Sequence, residues 1–558
     1  MSFYRITPRA GGHRFHIRAE LTLTPNQINE LYLPVWIAGS YTRRDFSKNL
    51  YGLRAEGVPL RLLGPGRWQL DARAGARTVV LDYEFYAHDL SVRQCYLDHQ
   101  RGLFNPGAAC VLIAGHEHEP CHLEISLDAD HAGWTVAPAR EVVCGDYHEL
   151  ADTPFLLGAR LAHFDFDVAG VRHDFYISGD VSAFDLAKLR TDSQRGCQSA
   201  FDLFGAFPPT LGPHYCFMLH LLGQGHNGLE HRRSTLLMQR RDAMQTPKAY
   251  ADLLGLIVHE YFHTWNVKDL KPATYQPYRL DAEQPDELLW LFEGYTAYFD
   301  NYLLQRAGLV SVAEYLGLLA ADMESLYSRP GRHRQTLVQS SLEAWTKFYA
   351  GGENAASVGI SYYIQGSLAA LCLDLWLRRN SELTLATVLR QLWLNYRATG
   401  IGLSEALYRE QVAALLPPAR RDDFQRLLDR LLHSTEELPL AASLADFGVQ
   451  MKRFAQHRAY PGFRYKEGRV VLLDENSPAA RAGVAMGDRL VAVNGEALPD
   501  DEALKAALLT SAPGTAIDLT VDRDGEAFTF HFPLLAPELD KVELTLSDPA
   551  ASQRWLAV

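Results

Sequence analysis

The sequence contains no C-x-x-C pair. Its seven cysteines, at 95, 110, 121, 144, 197, 216 and 372, are scattered and odd in number. That excludes a zinc ribbon and leaves no basis for a disulfide framework, so they read as buried thiols in a reducing compartment. No basic tract offsets the net charge of −13, which argues against nucleic acid as a partner. No uninterrupted apolar run approaches the ~20 residues that span a bilayer. The opening stretch MSFYRITPRAGGHRFHI has no apolar core of signal-peptide length. No membrane partner is expected, and the cytoplasm is the expected location.

What is present is globular in composition, 47% hydrophobic and 22% charged, and 558 residues suffice for several domains. From 1 to 170 apolar and polar residues alternate at period two, as in Phe15-His16-Ile17-Arg18-Ala19 and Val80-Leu81-Asp82-Tyr83. Short runs of this kind, punctuated by Gly, Pro and Asp, predict an N-terminal all-β sandwich. Residues 171–445 turn mainly helical and form the expected catalytic domain. A small domain of period two occupies 446–535, and 536–558 is left as a C-terminal tail. Within the first domain His116, His118 and His122 cluster, but Gly115 and Pro120 mark a turn, so they read as incidental surface histidines.

The chemistry is concentrated at His259-Glu260-Tyr261-Phe262-His263. Thr246-Pro247 supplies a helix cap and first residue, and the apolar run from Ala251 to Val258 predicts a buried helix. On a helix, positions i and i+4 share one face, so His259 and His263 can ligate one zinc ion. Glu260 is then placed to take a proton from water at the metal. The third ligand is sought downstream. Glu293 lies in the middle of a second helical stretch, ELLWLFEGYTAYF, among large apolar residues. A lone buried carboxylate there needs a charge partner or a metal. The expected set is His259, His263 and Glu293, one zinc per chain, with a fourth position left for water. Asp300 is the nearest candidate by helical spacing for a partner behind the ligands, although a residue of this kind is more often solvated. Lys268, in the proline-rich loop 266–290, is either a positive group near the site or, by the commoner pattern, a solvated lysine.

These strings resemble the gluzincin zinc metallopeptidases. The run H-E-Y-F-H-T-W-N-V-K, with W-L-F-E-G-Y-T-A-Y-F after it, resembles in particular their glycyl aminopeptidase family, which carries a C-terminal PDZ domain. The later arrival of Glu293 suits that family better than the larger alanyl-type aminopeptidases. Residues 477–495, SPAARAGVAMGDRLVAVNG, closely resemble a PDZ domain, an α+β module that binds extended peptides at a sheet edge. The resemblance implies a thermolysin-like catalytic fold and a preference for small N-terminal residues, Gly or Ala. It also implies roles upstream and downstream of the metal motif. Gly228-Leu229-Glu230-His231 resembles the segment that lies along the cleft, whose glutamate holds the free α-amine. Tyr363, with Tyr362 as its rival, resembles the tyrosine that stabilises the oxyanion. The expected activity is removal of N-terminal residues from peptides. An endopeptidase of the same chemistry remains open, as does a PDZ scaffold with a structural metal, although a structural site has no use for Glu260.

Overall fold

A computed structural model describes residues 1–556. The chain divides into two compact units, one of Met1–Asp286, Phe299–Val310 and Ala386–Gln411, the other of Glu287–Tyr298, Ser311–Leu385 and the chain from Val412 onward.

The first unit begins with the β-rich N-terminal domain. Its largest sheet runs Glu141–Cys144, Cys121–Ile125, Ser2–Arg9, Arg14–Thr22, Thr78–Tyr86, Leu50–Glu56. The alternation seen in the sequence is the pleat itself. Along Arg14–Thr22, Phe15, Ile17, Ala19 and Leu21 are buried and the residues between them face outward. Two four-stranded sheets complete the domain. A boundary at 170 falls inside a hairpin, because Leu161–Val168 pairs with Val171–Ser178 in the next sheet.

That next sheet has five strands in the order Leu161–Val168, Val171–Ser178, His214–Leu222, Ser234–Arg240, His226–Glu230. Between its second and third strands the chain crosses over through the helix Leu186–Phe204, capped by Asp185. The helix carrying the histidines, Pro247–Phe262, packs against Leu186–Phe204 and the sheet. Gly196 allows close approach, since a Cβ there would stand 2.8 Å from Val258 Cγ2. The strand His226–Glu230 ends the sheet, and among the described residues no strand pairs with its outer side.

The second unit holds most of the helices and the PDZ domain. Helix Tyr362–Asn380 is its central element and is largely buried. The PDZ core closes around Phe463, Val470, Leu490, Leu504, Leu519 and Phe532. Its two tight hairpins use residues with left-handed backbone, Asn494-Gly495 (φ 53° and 82°) and Asp524-Gly525 (φ 56° and 86°), as turns matching strand twist require. The described residues 536–556 are not a loose tail. Lys541–Leu546 pairs antiparallel with Val449–Phe454, and Trp555 is buried. The reason was present in the sequence: Val542, Leu544 and Leu546 repeat at period two.

Candidate active site

The histidine helix starts as the sequence predicts. Thr246 accepts from Ala249 N–H, and Pro247 occupies the first turn, where its missing N–H leaves nothing unsatisfied. Its last turn presents His259, Glu260 and His263. The two imidazoles lie edge to face, with centroids 4.9 Å apart. Each is oriented through Nδ1, which donates to an oxygen: His259 to Asp300 Oδ2 at 3.0 Å, His263 to the Asn266 carbonyl at 2.8 Å. Both Nδ1 atoms being so engaged, Nε2 on each ring is the atom left to meet a metal. This corrects the reading of Asp300 as a solvated residue. Its side chain is only 13% exposed, and it orients the His259 ring.

The chain then turns sharply. Val267 has φ 123°, an unfavourable backbone for a β-branched residue, and is buried. The strained turn aims the Asn266 carbonyl at His263 and carries Lys268 back under the site. Lys268 is therefore not solvated. Its Nζ donates to Asp152 Oδ1 at 3.0 Å and stands 3.7 Å from Glu230 Oε1. Burial opposes the ammonium charge, but Asp152 and Glu230 outweigh it and hold Lys268 above its ordinary range. Burial likewise opposes the Asp152 carboxylate, and Lys268 together with His231 holds it below the usual carboxylate range.

The edge strand supplies the other groups. Gly228 is there because of Glu260: a Cβ at Gly228 would come 2.0 Å from Glu260 Oε1. Glu230 is 3% exposed and packs against Gly39, whose φ of 93° and missing Cβ make room for the carboxylate. Glu230 Oε1 is buried and accepts no hydrogen bond among the described residues. Glu230, Glu260 and His263 each offer an atom within 4.8 Å of the others. Two carboxylates and an imidazole converging in a buried pocket call for positive charge, which a divalent metal and an amine supply.

In the second unit, the stretch read as one continuous helix is broken at its acid. Leu289–Phe292 ends and Gly294–Arg306 begins with Glu293 between them, 2% exposed. The break goes with a backbone-to-backbone crossing. A Cβ on Gly294 would come 2.6 Å from Gly366 Cα, so the Glu293 segment lies directly on helix Tyr362–Asn380. Tyr362 and Tyr363 occupy the first turn of that helix, after the cap Ser361. Tyr362 is fully buried and donates to the Tyr349 hydroxyl at 3.0 Å. Tyr363 is half-buried, with its hydroxyl 3.1 Å from that of Tyr349. Burial and then the Glu293 charge push the Tyr363 hydroxyl well above its ordinary range, so it stays a proton donor.

Sequence reasoning missed Asp152 and Val267. Asp152 lies more than a hundred positions before the histidines, and nothing local distinguishes it. Of the histidine cluster in the N-terminal domain, His116 meets Thr24 and Glu119, His122 meets Glu141, and His118 lies against the His148 ring.

Comparison with known proteins gives matches along the whole chain. Residues 4–159 match the peptidase M61 N-terminal domain, 252–369 the M61 glycyl aminopeptidase profile, and 445–534 a PDZ domain. The crystal structure of an aminopeptidase N family protein from Idiomarina loihiensis is 32% identical, covering 100% of both chains, with a TM-score of 0.94. An M1 zinc metallopeptidase from Deinococcus radiodurans is 14% identical, covering 79% of this chain and 94% of its own, with a TM-score of 0.49. Leukotriene A4 hydrolase from Saccharomyces cerevisiae is 11% identical, covering 80% and 70%, with a TM-score of 0.49. No curated protein matches the chain.

Proposed function

Because the chain belongs to the M61 glycyl aminopeptidase family, we propose that it is a zinc-dependent aminopeptidase that removes small N-terminal residues, glycine or alanine, from peptides. The zinc, one per chain, is held by His259, His263 and Glu293, which offer donors of the kind and number that catalytic zinc takes. When bound, it supplies Lewis acidity for the scissile carbonyl and lowers the pKa of water. Asp300 and the Asn266 carbonyl keep the two imidazoles in the ligating tautomer. Glu260 Oε takes a proton from the attacking water and returns it to the leaving amine. Tyr363 donates its hydroxyl proton as a hydrogen bond to the developing oxyanion. The edge strand at Gly228 lies alongside the extended substrate, and Glu230 accepts from its α-ammonium. The chain works in the cytoplasm, and the PDZ domain receives a peptide or protein ligand.

One observation carries the exopeptidase reading: Glu230 reaches within 4.8 Å of both Glu260 and His263. A peptide's α-amine and its first carbonyl belong to one residue, whose span is about 3.8 Å. An amine anchor this near the base admits only the first peptide bond. Lys268 beside Glu230 is the observation on the other side, since it balances that carboxylate without substrate and so leaves an endopeptidase open.

Free and N-acetylated peptide amides distinguish the two. Losing the buried ammonium–carboxylate pair costs roughly 3–5 kcal/mol. Acetylated peptides are therefore expected to react roughly 10²- to 10³-fold slower, with Glu230→Ala narrowing the gap by slowing the free-amine substrates. Comparable internal cleavage of acetylated peptides would establish the endopeptidase instead. Tyr363→Phe is expected to lower kcat by roughly 10²–10³ with little change in KM, because the bond forms mainly in the transition state. If Tyr362→Phe shows that loss and Tyr363→Phe does not, the assignment passes to Tyr362.

A further inference from the structure

The wall that carries Asp152 and Lys268 also encloses a cavity of about 200 Å³ in the first unit, bounded on its other sides by Trp36 and Tyr278. Two cations line it whose side chains make no direct ion pair among the described residues, though the Asp152 and Asp269 charges act on Lys271 from farther off. Arg232 is half-buried, and only its backbone N–H is engaged, by Asp152 Oδ2 at 3.0 Å. Lys271 is half-buried, and its Nζ rests 4.9 Å from the centre of the Tyr278 ring. Burial first, then the charges of Arg232 and Lys268, push the Lys271 ammonium down to about 8.

The acids of the wall are already occupied. Asp152 accepts from Lys268, His231 and the Arg232 N–H. Asp146 caps the helix Tyr147–Ala151, accepting from Glu149 N–H at 2.7 Å. A partly buried arginine and lysine facing one cavity, neither side chain in a direct ion pair among the described residues, form a receptor for a planar anion. The guanidinium matches a carboxylate through paired N–H donors, and the lysine adds a point charge. The cavity also shares Lys268 with the amine anchor. The same ammonium that meets Asp152 in the wall stands 3.7 Å from Glu230.

We propose that this cavity is a carboxylate subsite of the peptidase, so that its substrates include short peptides with a negative charge within a residue or two of the N-terminus. The proposal rests on Glu230 as the amine anchor. The charge comes either from an acidic side chain or from a nearby free C-terminus, and both present the same group.

The test uses the zinc-loaded full chain at low ionic strength and compares kcat/KM within matched pairs. Glutamyl-alanine amide against glutaminyl-alanine amide, and alanyl-glutamate amide against alanyl-glutamine amide, report a side-chain carboxylate. Alanyl-alanine against its C-terminal amide reports a free C-terminus. At least one charged member is expected to exceed its neutral mate by roughly 10- to 100-fold, the range for a charge-assisted hydrogen-bonded pair. The pair that shows the excess identifies the source. Lys271→Gln and Arg232→Gln are each expected to collapse that ratio towards one, while Lys271→Arg restores it. Equal rates within every pair, or a preference that neither variant alters, would overturn the subsite and leave the aminopeptidase reading intact. Failure of every free-amine substrate would instead overturn that reading itself.

Discussion

Glu260→Gln is expected to bind zinc as the wild-type chain does, yet to hydrolyse peptide amides about 10⁴-fold more slowly. The carboxylate sits in a slot shaped by Gly228, where no Cβ would fit. Glutamine has the same length and branching, so it enters that slot without displacing the strand. It cannot take up a proton, and the chain offers no second base in the same place: Glu230, the other acid nearby, is tied to Lys268. The two histidines keep their Nδ1 partners, so metal binding survives. Metal content and kcat/KM are measured on the same preparation. Glu230, Glu260 and His263 are themselves close enough to hold an ion. A variant that lost its zinc would show that Glu260 ligates the metal and does not act as a base.

Removing zinc with a strong chelator is expected to bring activity below detection, and one equivalent of zinc to restore it. Without the ion, buried donors converge with nothing to bind, a state that polar groups in a low-dielectric interior do not tolerate well. The metal-free chain should therefore also melt at a lower temperature, by an amount that grows with the affinity lost. Metal analysis of the purified chain should give close to one zinc per polypeptide. Full activity after exhaustive chelation, or no stoichiometric zinc in active protein, would remove the basis for the zinc reading.

The site's legibility in the sequence depended on how far each residue lies from its partner. His259, Glu260 and His263 share one helical turn, so periodicity alone sets their common face. Glu293 was legible for a different reason, as a single acid in an apolar stretch. Its exact setting was not, because the break beside Gly294 is imposed by Gly366, seventy positions on. Asp300 was seen as a carboxylate at helical spacing, but its bond to His259 joins two helices and no local pattern records it. Lys268 looked like a surface lysine because its partners, Asp152 and Glu230, come from other elements. In the fold, the strand-rich N-terminal domain and the helical region followed from period and turn residues, and the PDZ domain from the resemblance of residues 477–495. The last strand was passed over although it alternates, since a short run at a chain end is readily read as a tail.

That last strand gives the molecule an order in time. The chain enters the PDZ core after Val449–Phe454 and leaves it before Lys541–Leu546, and these two strands are neighbours. The module is thus a loop on a two-stranded stem. Beyond the stem, Trp555 donates through Nε1 to the Tyr298 hydroxyl at 3.3 Å, within the helix that begins beside Glu293. Residues 541–556 leave the ribosome after everything they close upon. The stem cannot zip, and Tyr298 cannot gain this neighbour, while the PDZ domain is still being made. A nascent chain therefore carries the helix that follows Glu293 unfinished until translation has passed the module, so maturation of this part of the enzyme is coupled to completion of a domain remote from it in sequence.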